Sequence, residues 1–312
     1  MSELLNVFSI GLFQNTLRTA TPVVLAGLGV LMTDHVGIMN IGADGMMLCG
    51  AFFAVLGSCF FGSWVGGLAL ALAIGLLLGA FFGLFVIAFK SDEYVIGVAL
   101  NIFAGGLTVF LLRTIFGVTG AFSGTSELPI HALPSIQIPL IQDIPILGHL
   151  LSGNTLLVYV SWLMVILSYV MIYRTPLGFW MRAAGENPEA LRAAGKSPER
   201  MKYLASMICG LFSGLAGAHL SLGYLTMFTE NMSASRGFIA VACVIFGGSN
   251  PPFVFLAALL FGFIDALGMR VQSFNISSNL TSLAPYLATV IMMVWVVWRK
   301  ERKQWKQAKQ GQ

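Results

Sequence analysis

The feature that most constrains this chain is a succession of apolar runs, several of them close to the roughly 20 residues that a helix needs to cross a bilayer. The runs lie at about residues 17–33, 46–61, 65–89, 94–116, 155–173, 203–225, 237–248, 253–271 and 283–298. Backbone N–H and C=O groups in hydrocarbon find no water, so such runs must satisfy their own hydrogen bonds, as helices do. The chain is 57% hydrophobic and 10% charged, against about 25% charged in a soluble domain. The expected fold class is therefore all-α, a polytopic transmembrane bundle of about eight to ten spans forming one domain over residues 1–312. The run at 237–248 is the weakest span, because about 12 residues rise only about 18 Å, so it reads as a half-helix or a re-entrant piece.

Charge sets the orientation. The net charge is +4, and the excess sits at 174–202, which holds six of the 17 Lys and Arg residues, and at 299–309. That distribution follows the positive-inside rule and is not a nucleic-acid signal. It places the 174–202 segment and the basic tail 299–312 in the cytoplasm, with an even number of crossings between them. Residues 117–153 contain no Lys or Arg but do contain Pro129, Pro134, Pro139 and Pro145. They read as an ordered outer loop with short strands, either a self-packed lid or a contact for a binding protein. Nine crossings put the N-terminus outside. No basic n-region or small-residue cleavage site marks a signal peptide, and residues 1–16 are expected at the interface.

The segment 174–202 carries two helix starts of one design. Asn187-Pro188-Glu189 places a capping side chain, a proline at the first helical position and a carboxylate near the positive helix end, and Ser197-Pro198-Glu199 repeats it. Gly195 falls where a left-handed C-terminal residue belongs. A short helix, about residues 188–194, is thus presented on one surface, suited to docking into a partner's groove. The window Ala190–Ser197 has a relaxed phosphate-loop spacing, but Ala190 replaces the first glycine and Pro198 follows, so it reads as a turn between capped helices.

Polar residues in or beside the spans are the candidate solute pathway: Asn40, Asp44, Asn101 and His219 foremost, with Arg113, Asp265 and Arg270. Asp265 and Arg270 are expected near a membrane surface. Asp44 belongs to the glycine-rich run Gly37-Ile38-Met39-Asn40-Ile41-Gly42-Ala43-Asp44-Gly45, which predicts a broken helix with backbone lining a cavity. The plainer reading makes Asp44 a cap or a structural partner. Gly75, Gly79 and Gly83, and Gly210, Gly214 and Ala218, repeat at every fourth residue and predict close helix contacts. Cys49, Cys59, Cys209 and Cys243 lie inside apolar runs and read as small buried hydrophobes, not metal ligands. No nucleophile or metal motif points to an enzyme.

Glu189-Ala190, four further residues and Gly195 also fit the glutamate-alanine loop of ABC-transporter permeases. With the run from Gly37 to Met47, the stretch from Met181 to Ala190, and the stretches Ser235 to Ala242 and Ile245 to Gly248, the chain resembles permease subunits of the simple-sugar and nucleoside importer group, related to ribose and branched-chain amino-acid permeases. The pieces occur in the family's order over about residues 20–270. Leu191 departs from the loop's usual second alanine, and Asp44 stands where this group usually has Glu. The resemblance implies an importer subunit in the cell inner membrane for nucleosides or a related ribose or sugar solute. It implies a second permease in a heterodimer, an ABC ATPase subunit holding ATP and Mg, and a solute-binding lipoprotein. Asn187, Pro188, Glu189, Ala190 and Gly195 would form the ATPase-coupling helix, and no cofactor is expected on this chain. The alternatives are an ion-coupled secondary transporter and a membrane enzyme.

Overall fold

A computed structural model describes residues 10–137 and 152–272. In chain order the helices are α1 (Ile10–His35), α2 (Ala43–Phe61), α3 (Trp64–Gly83), α4 (Glu93–Phe116), α5 (Leu156–Arg174), α6 (Pro176–Glu186), α7 (Pro188–Ala193), α8 (Pro198–Ala218), α9 (Arg236–Phe246) and α10 (Pro251–Gln272). π-helical turns extend α3 through Leu84–Ala88 and α8 through His219–Tyr224. Seven of the described helices are long and apolar enough to cross a membrane. The expected span at 283–298 and the tail lie outside the described residues, so the count of nine is not reached here.

The helices join two ends of the bundle. At one end two-residue strands pair antiparallel: β1 (Ala121–Phe122) with β4 (Phe228–Thr229), and β2 (Ser135–Ile136) with β3 (Asn154–Thr155). β1 and β2 are short strands of the kind expected in the 117–153 loop; their partners lie outside it, β3 just before α5 and β4 after α8. At the other end lie the α1–α2 corner, the α3–α4 turn, and α6 with α7.

Burial inverts the pattern of a soluble protein. Across their spans α1 is 89% buried and α2 and α8 are each 78% buried, while α4 and α5 are only 28% buried. The outer helices are the more apolar ones, and Ile102, Phe110, Leu163 and Ile166 are all exposed on them. Lipid rewards apolar side chains outside and leaves the interior to packing of small residues. Gly75 and Gly79 of α3 meet Gly210 and Ser206 of α8, and a methyl group at Gly50 of α2 would lie 2.7 Å from the Gly214 Cα. The two glycine repeats therefore face each other, with α8 wedged between α2 and α3.

Two expectations need correction. The first helix starts at Ile10, so residues 10–16 already belong to α1, ahead of the start expected at 17. The polar interruption shrinks to residues 36–42, because Ala43, Asp44 and Gly45 already form the first turn of α2. The helix start expected at Ser197-Pro198-Glu199 is present: α8 begins at Pro198, five residues before the apolar run, where the Ser197 hydroxyl accepts the Arg200 N–H at 3.3 Å. The short apolar run becomes the half-helix α9, preceded by an irregular stretch, 225–235, in which Thr226, Asn231, Ala234 and Ser235 have positive φ.

Candidate functional site

The segment around α7 is built from local caps. The Asn187 Oδ1 accepts the Ala190 N–H at 3.0 Å, and Pro188 takes the first helical position. Thr175 does the same for α6, accepting the Gly178 N–H ahead of Pro176; this third cap-and-proline start, which lacks the carboxylate of the other two, was legible in the sequence and missed. Each cap contributes about 1 kcal/mol. Gly195 has φ +74°, and the Lys196 N–H reaches back to the Leu191 carbonyl at 3.1 Å, closing α7 with a Schellman turn.

Helix α7 has one buried side chain. Leu191 is 3% exposed, whereas Glu189, Ala190, Arg192 and Gly195 are exposed. The leucine that departs from the family's alanine is thus the anchor, and the glutamate-alanine face stays free. Arg192 pairs with Glu199 in the first turn of α8, and Lys196 lies 4.4 Å from the centre of the Trp180 ring on α6. Glu199, first by its hydrogen bond and then by charge, pushes the Arg192 guanidinium further up. A cleft of about 610 Å³ runs beside α7, bounded by Gly37 and Ile38 of the corner, Lys90 and Glu93 beyond α3, and Glu189 and Arg192.

The pathway candidates divide. Asn40, Asp44 and Asn101 meet at the α1–α2 corner, where all three serve backbone. Asn40 accepts the Gly42 N–H at 2.9 Å, and its amide nitrogen lies 3.3 Å from Cys209 Sγ. Asn101 accepts the Gly45 N–H at 2.7 Å and donates to the Ile41 carbonyl at 3.0 Å. Asp44 accepts the Gly237 N–H at 2.9 Å and the Ser233 hydroxyl at 3.0 Å. Side chains thus take up backbone groups of Ile41, Gly42 and Gly45, while Gly37 and Ile38 of the same run border the cleft beside α7. His219 stands apart on the α8 extension, buried, with Nε2 3.1 Å from the Arg18 carbonyl.

Among the remaining charges, Arg113 is exposed in the last turn of α4 and Arg270 lies in the last turn of α10. Asp265 pairs with Arg236 at 3.1 Å, with side chains 29% and 17% exposed. Sequence reasoning missed this pair, although a charge within an apolar span calls for a partner. It also missed Asp34, which accepts the Ser249 hydroxyl.

Such a bundle, apolar outside and carrying a braced helical elbow at one end, defines a multi-pass membrane protein. Residues 12–297 match the family model described as the permease component of the branched-chain amino acid transport system, and the chain belongs to that family. It is the membrane permease subunit of an ABC importer. The chain is 34% identical over 291 residues to the guanosine ABC transporter permease protein NupQ of Bacillus subtilis, covering 89% of each chain. It is 28% identical to the nucleoside ABC transporter permease protein NupC of Lactococcus lactis, over 89% of this chain and 90% of the relative. It is also 34% identical, over 86% of this chain and 80% of the relative, to TsgC13 of Haloferax volcanii, provisionally named a glucose ABC transporter permease protein. No solved structure matches the chain. Membership implies an ATPase and a solute-binding protein as partners and gives no support to the ion-coupled alternative.

Proposed function

We propose that this chain carries nucleosides, or a related ribose-containing or sugar solute, inward across the cell inner membrane. The observation that carries the solute class is the near full-length similarity to relatives named for guanosine and for nucleosides. In this reading the end bearing α6 and α7 faces the cytoplasm with the C-terminus, and the strand-bearing end receives solute from a binding lipoprotein. Helix α7, with Asn187, Pro188, Glu189, Ala190 and Gly195, docks on the ABC ATPase, which binds and hydrolyses ATP with Mg. A second, similar permease completes a heterodimer. Support for the docking role comes from the form of α7, which is capped at both ends, anchored by the buried Leu191 and the Arg192–Glu199 pair, and exposed on the face carrying Glu189.

Uptake of labelled guanosine and labelled glucose, in cells with and without this gene, tests the solute class. The expected outcome is loss of guanosine uptake in the deletion strain, with unlabelled nucleosides competing in the parent. Loss of glucose uptake alone would replace nucleosides by sugars.

A further inference from the structure

Two carboxylates flanking the α1–α2 corner hold opposite ends of one short helix. Asp44, after the corner, accepts the Gly237 N–H and the Ser233 hydroxyl at the start of α9. Asp34, before the corner, accepts the Ser249 hydroxyl in the turn beyond the end of α9. Helix α9 has 11 residues, about 16 Å of rise against a hydrocarbon core of about 30 Å. Its connection to β4 is the irregular stretch described above. Beside local backbone bonds such as Arg236 N–H to Ser233 and Ser249 N–H to Val244, the side chains of Asp44 and Asp34, from elsewhere in the chain, hold its ends.

The Asp34–Ser249 contact unites two locally unfavourable choices. Asp34 sits in the last turn of α1, where the helix dipole disfavours a carboxylate. Ser249 has φ +57°, a conformation that L-residues other than Gly, Asn and Asp seldom adopt. Local strain that persists is a pointer to function.

The same corner supports the docking segment. A Cβ on Gly185 of α6 would lie 2.5 Å from the His35 carbonyl and 3.0 Å from the Gly37 nitrogen, so α6 cannot shift toward the corner without displacing it. Only Asn187 separates α6 from α7. One continuous set of contacts thus runs from α7 through α6 and the corner to Asp34, then through Ser249 to α9.

We infer that Asp34 is a positioning residue that passes displacement of the docking helix α7 to the half-helix α9, so that α9 moves in step with the ATPase cycle. This rests on the docking reading of α7 given above. Ser249→Gly is the informative variant. It deletes the hydroxyl while suiting the backbone, so a merely structural role predicts an undamaged fold and unaltered motion.

The test uses the complete transporter with spin labels at exposed positions, the four native cysteines being buried. Labels at Ile245 on α9 and at Ala193 on α7 are each paired with Phe110 on α4, and distances are measured with and without ATP and vanadate. In the unaltered complex both distances shift. In the Ser249→Gly and Asp34→Ala complexes the α7 shift remains, the α9 shift is lost, and the double variant loses no more. An α9 shift that survives in the assembled Ser249→Gly complex overturns this inference alone. If neither distance shifts in an unaltered complex that hydrolyses ATP, the docking reading of α7 falls too.

Discussion

At the scale of single residues, side chains here mostly repair backbone. Asp44, Asn40 and Asn101 spend their hydrogen bonds on peptide groups at the start of α2 and α9, where helical partners are lacking. An unpaired buried donor costs about 1–3 kcal/mol, and Asp44 satisfies two. Asp44→Ala is expected to destabilise the permease by about that amount per orphaned donor, read as a lower unfolding temperature in detergent. Asp44→Asn keeps one acceptor oxygen and should lose less. If Asp44→Ala unfolds like the parent while solute uptake collapses, Asp44 acts on the solute and not on the fold.

At the scale of elements, the account turns on how closely helices approach. Helix α8 lies against α3 along Gly210, Gly214, Gly75 and Gly79, with backbone where side chains would otherwise intervene. Gly210→Leu inserts a branched side chain against the Gly75 carbonyl. Overpacking of this kind costs typically about 1–3 kcal/mol, and the variant should yield less folded protein by fluorescence-detected size exclusion, whereas Leu at the open position Gly106 should be tolerated. These glycine faces were legible because four-residue spacing is a local property. So were the caps at Asn187 and Ser197, which reach only three residues ahead. The bond of Asp44 to Gly237, 193 residues away, and that of Asp34 to Ser249, 215 residues away, were not. Nothing in local sequence says which distant peptide group an aspartate will meet. Hydropathy also misplaced the ends of α1 and α8, because it measures affinity for lipid, while the start of α8 is set by the Ser197 cap.

At the scale of the whole molecule, the apolar runs by themselves identify a multi-pass bundle, and the described helices follow those runs. They do not say which helices lie inside, since the buried α1, α2 and α8 are less apolar than the outer ones. The positive-φ residues around β4 and before α9 are hidden for a related reason, because hydropathy does not register backbone conformation. The described residues form an inner trio of helices, more apolar helices outside it and a braced elbow at one end. The central claim is that this elbow is where the ATPase grips the permease. The most direct measurement is co-purification from native membranes in mild detergent, comparing the unaltered chain with Glu189→Arg, a charge reversal on an exposed position that disturbs no core contact. The account predicts that an ATPase and a second permease come down with the unaltered chain, and that Glu189→Arg keeps the permease but loses most of the ATPase. Equal recovery of the ATPase with both proteins would contradict it.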